Sequence, residues 1–455
     1  MRRKADRLRS ARSNMQKKYI ITLTSLMLCL IFLLAVYLLN IQQQITVTPI
    51  EAFNQNEKIS FISSWGAYDS KAQRLKSIFQ KLYEKYPNIK IEDSSMAGKD
   101  FLFILKTDFA NGNEPDLFGL WPGSDFTLLV EQGKVADLTE LVKSDEAWYK
   151  QFKESTWDYV TVDNRIYGLP IEIIYEGLFI NKDLFDKHNV KIPTNFQELL
   201  QAVEVFKREG IIPIAYSETP EGSYIYQNMV MKLGGKEDVE NPIAETGYIK
   251  PCFIEAMYYM KELYEAGAFP EHLWSIDDKE RNELFFQKKA AMIVQGSWLI
   301  GDNALSSQDQ TIEIIPFPDM PDGKAESTAI IYGCGNGIFH ISQKAWEDPE
   351  MRKNCSLILK EITSPQNVAL LAEGSGFISN IELGEYAIPT TLLGEKGEEL
   401  VNNAKELVGP VDSFINRGIW EDIIIERFPS VLKGTMTPEA VFDEVYRAMK
   451  FTKGE

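Results

Sequence analysis

Residues 165–200 read RIYGLPIEIIYEGLFINKDLFDKHNVKIPTNFQELL, and their pattern indicates the fold class. The apolar run Gly177–Ile180 is typical of a buried strand. Thr194 and Gln197 have the spacing of a capping box, and apolar residues then recur at helical spacing over 196–206. A strand followed by an amphipathic helix is the repeating unit of α/β proteins with mostly parallel sheets.

The same alternation continues in both directions along the chain. Apolar segments bounded by turn residues predict strands, and apolar residues spaced three and four apart predict helices. Gly210 and Gly267 directly follow two of the helical patterns and are expected to end them. The predicted strands lie near 59–62, 89–91, 115–120, 177–180 and 211–215, and clear helices near 75–86, 196–206 and 252–266.

Composition and charge place limits on the class of protein. The chain has 455 residues, of which 44% are hydrophobic and 25% charged, as expected for a folded body of two or three domains or one bilobed unit. The formal net charge is −18. Residues 1–18 alone carry +7, from eight basic residues and one acid, so the remainder carries −25. So acidic a body repels phosphate backbones, which argues against a nucleic-acid partner.

The N-terminal sequence predicts a membrane anchor. Residues 19–39 (YIITLTSLMLCLIFLLAVYLL) contain no charge and would form a helix of about 31 Å, close to the thickness of a hydrocarbon core. The basic residues before it stay in the cytoplasm by the positive-inside rule. We therefore expect a cytoplasmic segment at 1–18, a single-pass transmembrane helix at 19–39, a tether at 40–56 and a body on the extracytoplasmic face of the cell membrane. A cleaved signal peptide and lipidation at Cys29 are the alternatives.

Motifs for metal, cofactor or nucleophilic chemistry are not found in the sequence. The three histidines are far apart and match no metal-binding spacing, and no phosphate-binding loop or GxSxG motif occurs. We predict no catalytic group, metal or cofactor. The body's cysteines, Cys252, Cys334 and Cys355, form no CxxC pair. Three buried free thiols are expected, with a Cys334–Cys355 bridge as the alternative.

Aromatic and acidic residues cluster where the predicted apolar segments end. In open α/β sheets, ligands bind beyond the carboxyl ends of the strands. Aromatic rings stack on the C–H faces of a sugar, and carboxylates accept hydrogen bonds from its hydroxyl groups. These features suit a neutral polyol. The candidate ligand-binding residues are Trp65, Tyr68, Trp121, Asp125, Glu172, Tyr175, Trp298, Tyr332 and Trp420.

Short motifs occur in a fixed order along residues 57–450. They comprise the first strand ending in Trp65, PDLF at 115–118 with G…ADLT at 133–139, RIYGLP at 165–170 leading to FINKDLF at 179–185 and IPTNFQEL at 192–199, FQKKAAM at 286–292 with GSW at 296–298, PFP at 316–318 and TPEA at 437–440.

In this order the motifs resemble those of the extracellular solute-binding proteins of ABC importers, specifically the sugar-binding family that includes maltose-binding protein. The resemblance implies a two-lobed periplasmic-binding-protein-like fold of type II, with ligand enclosed between the lobes. It implies an N-lobe of 57–172 plus 312–345 and a C-lobe of 173–311 plus 346–455, joined by crossovers near 171–175 and 311–315. Trp298 would stack on the ligand, and Glu172 and Tyr175 would lie at the hinge.

The implied function is capture of a sugar or oligosaccharide by hinge closure, followed by delivery to the permease subunits of an ABC importer. Such a receptor is expected to be a monomer and not an enzyme. Two other hypotheses remain. One is an extracytoplasmic glycoside-processing enzyme with a carboxylate pair across the cleft. The other is a sensory or adhesion module that uses the same fold.

Overall fold

In the computed structural model, which describes residues 58–66, 69–96, 99–306 and 308–452, the chain folds around two mixed β-sheets. The smaller sheet has the strand order β2-β1-β3-β12-β6, and the larger has the order β14-β11-β7-β9-β8, with β10 and β13 also paired to β7. The strands are β1 (Lys58–Ile62), β2 (Lys90–Asp93), β3 (Leu117–Gly119), β4 (Thr161–Val162), β5 (Arg165–Ile166), β6 (Leu169–Pro170), β7 (Glu172–Asn181), β8 (Ile212–Ile214), β9 (Ala290–Gly296), β10 (Ile312–Ile315), β11 (Ile330–Cys334), β12 (Ile338–Ile341), β13 (Ile378–Ser379) and β14 (Leu407–Val408).

Helices cover both sheets. The α-helices are α1 (Ala72–Lys85), α2 (Lys99–Asn111), α3 (Ser124–Glu131), α4 (Thr139–Lys143), α5 (Glu146–Lys150), α6 (Lys182–His188), α7 (Phe196–Arg208), α8 (Tyr224–Glu240), α9 (Pro251–Ala266), α10 (Asp278–Phe286), α11 (Asn303–Ser306), α12 (Gln343–Glu347), α13 (Pro349–Ile362), α14 (Pro365–Ala372), α15 (Leu392–Asn403), α16 (Arg417–Ile419), α17 (Glu426–Leu432) and α18 (Pro438–Thr452).

The smaller sheet combines parallel and antiparallel strand pairs. β1 pairs in parallel with β2 and β3, and β12 adds antiparallel strand pairing to β3 and β6. Helix α1 packs on this sheet because its apolar residues recur at helical spacing and form one buried stripe, with Phe79 at 5.2 Å from the ring of Phe61 on β1. This helix was predicted from that stripe.

The larger sheet is organised around β7. All ten residues of this strand are buried, which explains why its sequence shows an apolar run without the alternation of a half-exposed strand. β9 and β10 pair with its C-terminal part, and β11 and β13 pair with its N-terminal part. Helix α7 follows at Phe196–Arg208, one residue later than the Thr194–Gln197 box implied. Asn195 is the residue whose side chain caps it, by accepting a hydrogen bond from the Glu198 N–H at 3.0 Å.

The chain passes between the two sheets more than once. Ile171 alone separates β6 of the smaller sheet from β7 of the larger. Residues 335–337 separate β11 of the larger sheet from β12 of the smaller. Helix α13 then packs beside α1, with an ion pair between Lys85 and Glu361, and the chain returns through β13 to α15 on the larger sheet.

This arrangement differs from the expected lobe boundaries in two places. β10 and β11 belong to the larger sheet, whereas 312–345 was placed with the N-lobe. Residues 349–372 pack beside the smaller sheet, whereas 346–455 was placed with the C-lobe. The reason lies in long-range pairing, since β10 forms an antiparallel ladder with the C-terminal half of β7, a contact that no local pattern encodes. Where the lobes divide remains a prediction.

The predicted membrane anchor is not part of the described structure. Residues 1–18, 19–39 and 40–56 lie outside the described residues, as does Tyr68. Among the residues that are described, none of the helices combines the length and apolar character needed to cross a membrane. Cys252, Cys334 and Cys355 are buried free thiols, which confirms the first of the two expectations for them.

Candidate functional site

A pocket forms where the two sheet-based halves of the molecule meet. One wall is the loop after β3, and the other follows β14 near the C-terminus. The Arg417 N–H donates a hydrogen bond to Ser124 Oγ at 2.9 Å, which joins the two walls. We call this small crevice the interlobe pocket. It is lined by Trp121, Pro122, Gly123, Ser124, Asp125, Asp412, Ser413 and Arg417.

The charged side chains of the interlobe pocket form ion pairs. The Arg417 guanidinium contacts the carboxylates of Asp412 and Glu421, each at 2.7 Å, and lies 5.6 Å from the Trp121 ring centroid. Burial lowers the pKa of Arg417, but these carboxylates raise it by more, so the guanidinium stays charged. Asp125 pairs with Lys106 through Oδ1 at 2.7 Å, and its Oδ2 is buried without a partner. The pocket therefore offers an aromatic face and an unused acceptor.

A second group of side chains extends the site on the larger half. The Tyr224 and Trp298 rings pack edge to face with centroids 5.5 Å apart, and both are half-buried. Glu176, on β7, accepts a hydrogen bond from Asn228 Nδ2 at 2.8 Å. Burial, and then the carboxylates of Glu221, Glu176 and Asp412, raise the pKa of Tyr224 well above its ordinary value. We call the residues Glu176, Glu221, Tyr224, Asn228, Trp298 and Asp412 the acidic wall.

The crossovers carry a buried ion pair. Lys71 Nζ lies 3.1 Å from Glu172 Oε1, and only 3% and 1% of these side chains are exposed. Glu172 Oε2 also accepts the Gly337 N–H at 2.7 Å, and the Lys71 ammonium lies 5.2 Å from the Trp65 ring centroid. A Cβ at Gly335 or Gly337 would lie within 2.8 Å of Glu172 atoms, so only glycine fits there. We call these five residues the hinge cluster.

Burial and neighbouring charges determine the ionisation of the Lys71–Glu172 pair in the hinge cluster. Burial lowers the pKa of Lys71, but the charges of Asp69 and Glu172 raise it above its ordinary value. Burial raises the pKa of Glu172, and the Lys71 charge opposes this. We take the pair as ionised, because each charged atom has a partner within hydrogen-bond distance and neither has water as an alternative.

The structure brings some of the predicted ligand-binding residues together. Trp121 and Asp125 line the interlobe pocket, and Trp298 lies in the acidic wall. Trp65 and Glu172 lie together in the hinge cluster, where both are buried. Trp298 fits beside β9 because Gly296 has no side chain; a Cβ there would lie 1.9 Å from its ring.

Other predicted residues lie elsewhere. Tyr175 and Tyr332 pair in register on the face of β7 opposite Glu176, within a separate apolar cluster. Tyr175 lines a second small pocket that also includes Glu398. Trp420 has no exposed surface and packs against Tyr226 in the largest core cluster, so it cannot touch a ligand without repacking of the core.

Sequence reasoning missed most of the acidic wall and Arg417. Glu176 carried a usable signal, since a charged residue within a continuous apolar run needs a local reason to be there. Tyr224, Asn228, Asp412 and Arg417 gave no such signal, because they lie on helices and loops of ordinary polarity. Within the described parts of the chain, no group of three or more His, Cys, Asp or Glu residues is arranged to hold a metal ion.

Comparisons with known proteins give one consistent result. The sequence model of the bacterial extracellular solute-binding proteins matches residues 68–347. The multiple sugar-binding protein of Streptococcus mutans is 24% identical over 314 residues, covering 67% of this chain and 69% of that protein. An uncharacterised ABC transporter extracellular-binding protein of Pyrococcus horikoshii is 25% identical over 252 residues, covering 53% of this chain and 56% of that protein. The chain thus spans little more than half the length of the latter relative.

Solved structures of similar fold cover nearly all of the described body. A structure from work on xylan utilisation by Caldanaerobius polysaccharolyticus is 25% identical, has a TM-score of 0.76, and covers 86% of this chain and 100% of that one. A chitin oligosaccharide binding protein is 20% identical with a TM-score of 0.77, covering 86% and 98% of the two chains. Maltose-bound MalE3 of T. maritima is 21% identical with a TM-score of 0.69, covering 87% and 99%. The last two show the fold alone, a two-lobed α/β architecture with mixed sheets.

Proposed function

Because the chain belongs to the family of bacterial extracellular solute-binding proteins, we propose that it captures a carbohydrate in the interlobe pocket and delivers it to the permease of an ABC importer. The observation that carries this proposal is that the pocket's walls come from different halves of the molecule, at Trp121–Asp125 and at Asp412–Arg417. A ligand held there contacts both halves at once. Names of several relatives and neighbours, among them sugar-, maltose- and chitin-binding proteins, favour a carbohydrate.

The mechanism follows from this two-sided geometry. In an open form the walls separate, and the Arg417–Ser124 hydrogen bond and the Arg417–Trp121 contact are lost. A ligand that touches both walls binds the closed form better and so shifts the population towards it. The aromatic faces of Trp121, Tyr224 and Trp298 would stack on sugar rings, while Asp125 Oδ2 would accept a hydrogen bond from a sugar hydroxyl group. The residues at this site thus bind and orient the ligand, and no bond needs to be broken.

The family also bears on location and on the competing hypothesis. Its members act outside the cytoplasm as substrate-binding components of transporters, which does not favour the glycoside-processing alternative. We further propose that the apolar sequence 19–39 anchors the chain and that 40–56 tethers a monomeric body near the permease, which raises the local concentration of loaded receptor. Mass spectrometry of the mature protein tests this, since a cleaved signal peptide or a lipidated Cys29 would change the mass.

The test of carbohydrate capture is thermal unfolding of the full chain in detergent with a panel of mono- and oligosaccharides, including maltose, xylan and chitin fragments. A ligand at 100 times its dissociation constant stabilises the folded state by about 2.7 kcal/mol. We expect Trp298→Ala to remove the shift. Trp274→Ala is the matched control, because Trp274 is also half-buried but contacts Tyr264 and Lys433 away from the pocket. The proposal fails if no carbohydrate shifts the transition.

A further inference from the structure

The carboxyl group of Glu176 is buried without a cation. It lies on the fully buried strand β7 with 2% of the residue exposed. Asn228 Nδ2 donates a hydrogen bond to its Oε2 at 2.8 Å, and no Lys or Arg among the residues that the structure describes forms an ion pair with it. Asn228 is itself 1% exposed, and its Oδ1 has no hydrogen-bond partner. The amide oxygen of Asn228 is therefore a buried acceptor without a donor, next to a buried carboxyl group without a cation.

The surroundings of Glu176 are acidic and aromatic. The carboxylate of Asp412 raises the pKa of Glu176, and the carboxylates of Asp412 and Glu176 both raise the pKa of Tyr224. The Tyr224 ring packs against Trp298. The nearby guanidinium groups are already matched, each by two carboxylates. These pairs are Asp412 and Glu421 around Arg417, and Glu221 and Asp278 around Arg281. Five carboxyl groups thus face two cations, and Glu176 is the one without a counter-charge.

We propose that the carbohydrate captured by this protein carries a protonated amino group, which binds between Glu176 and Asn228 Oδ1 beside the rings of Tyr224 and Trp298. This inference rests on the proposed function and names the substrate class for it. An ammonium group has three donors and no acceptor, so it satisfies both acceptors at once. It also gains from the electron-rich faces of the two rings. A neutral hydroxyl supplies a single donor and so satisfies only one of the two acceptors.

A proton is released when such a ligand binds. Burial raises the pKa of Glu176 well above its ordinary value, and Asp412 raises it further against the Asn228 hydrogen bond. This favours the protonated form of Glu176 in the empty site, while Arg417 remains bound to Asp412 and Glu421. The incoming ammonium favours the carboxylate, so the Glu176 proton passes to the buffer. A neutral sugar leaves that proton in place.

The experiment is calorimetric titration of the full chain with matched sugars that differ only in the amino group. The pairs are chitosan trisaccharide against cellotriose and galactosamine against galactose, at pH 6 in two buffers of different ionisation enthalpy. We expect the amino member of one pair to bind about 10- to 100-fold more tightly, with a net release of protons. Glu176→Gln should abolish both the preference and the proton release. Glu218→Gln, a half-buried glutamate beside Tyr216 and Lys433, should change neither.

The outcomes distinguish failure of the amino-sugar inference from failure of the proposed carbohydrate capture. Equal or weaker binding of the amino sugars, with neutral sugars bound, overturns this inference and leaves carbohydrate capture standing. Binding of an amino sugar with no proton release assigns the contact to a group other than Glu176 and also overturns it. If no carbohydrate of either kind binds, the proposed function itself is wrong. The wild-type proton release is informative even if Glu176→Gln does not fold.

Discussion

Replacing Lys71 by methionine tests the role of the hinge cluster. The substitution keeps most of the volume of the side chain but removes its charge, and so leaves the Glu172 carboxylate unpaired with 1% of its side chain exposed. Breaking one partner of a buried ion pair costs about 3–5 kcal/mol, because the remaining charge has neither water nor a counter-ion. Loss of the ammonium from the Trp65 face adds to this. At the entropy expected for a body of about 400 residues, Tm should fall by about 4–6 °C.

The assay is calorimetric and urea unfolding of four proteins: wild type, Lys71→Met, Glu172→Gln and the double variant. The double variant replaces both charges, so we expect it to lose less stability than the sum of the two single changes. Lys182→Met is the control. Lys182 pairs with Asp186 at 2.5 Å on an exposed helix face, where the loss should be about 0–1 kcal/mol.

A small loss of stability in Lys71→Met would contradict a structural role for this ion pair. If Lys71→Met unfolds within about 1 kcal/mol of wild type, the pair does not hold the crossovers together, and Glu172 must be neutral in the folded protein. Additive losses in the double variant would also contradict a direct interaction between the two residues.

Three further predictions concern single residues. Trp420→Ala should lower the free energy of unfolding by about 3–5 kcal/mol, because the ring is fully buried against Tyr226, whereas carbohydrate affinity measured at low temperature should stay unchanged. Gly337→Ala should destabilise the fold by about 1–3 kcal/mol in urea unfolding, since a Cβ would lie 2.5 Å from Glu172 Cβ and 3.1 Å from the Trp65 ring. Burial raises the pKa of Glu218 to about 7, so this carboxyl group stabilises the fold at low pH and that contribution is lost as pH rises from about 4.5 to about 7. Glu218→Gln should therefore flatten the decline in stability across this range by up to about 3 kcal/mol, and an unchanged slope would place the titration elsewhere.

Local patterns predicted the secondary structure well because they reflect local causes. The stripe of helix α1 and the end of α9 at Gly267, which adopts φ 81°, were both visible as spacing and residue type. The strand β7 was predicted only at Gly177–Ile180 but begins at Glu172. Two glutamates interrupt the apolar run, and only the tertiary contacts with Lys71 and Asn228 explain why a buried strand tolerates them.

The candidate site was predicted less completely, because burial of an aromatic ring depends on contacts remote in sequence. Trp121, Trp298 and Trp420 were all candidate ligand-binding residues, and Trp298 also had the resemblance to a stacking tryptophan of the family in its favour. The structure places the first at the pocket, the second in the acidic wall and the third in the core. Arg417 bonds to Ser124, which is 293 positions away, so no local spacing could have paired these residues.

The repeated passage of the chain between the two sheets bears on how the protein is made. Neither sheet is encoded by a continuous segment, since the smaller one needs β12 (Ile338–Ile341) and the larger one needs β14 (Leu407–Val408). A ribosome releases residues in order, so β3 emerges more than 200 residues before β12, its antiparallel partner. Pairing over such sequence distances is slow. The nascent polypeptide therefore stays without a finished core until synthesis is almost complete, which is the state required of a chain that must thread through a narrow secretion channel before it folds.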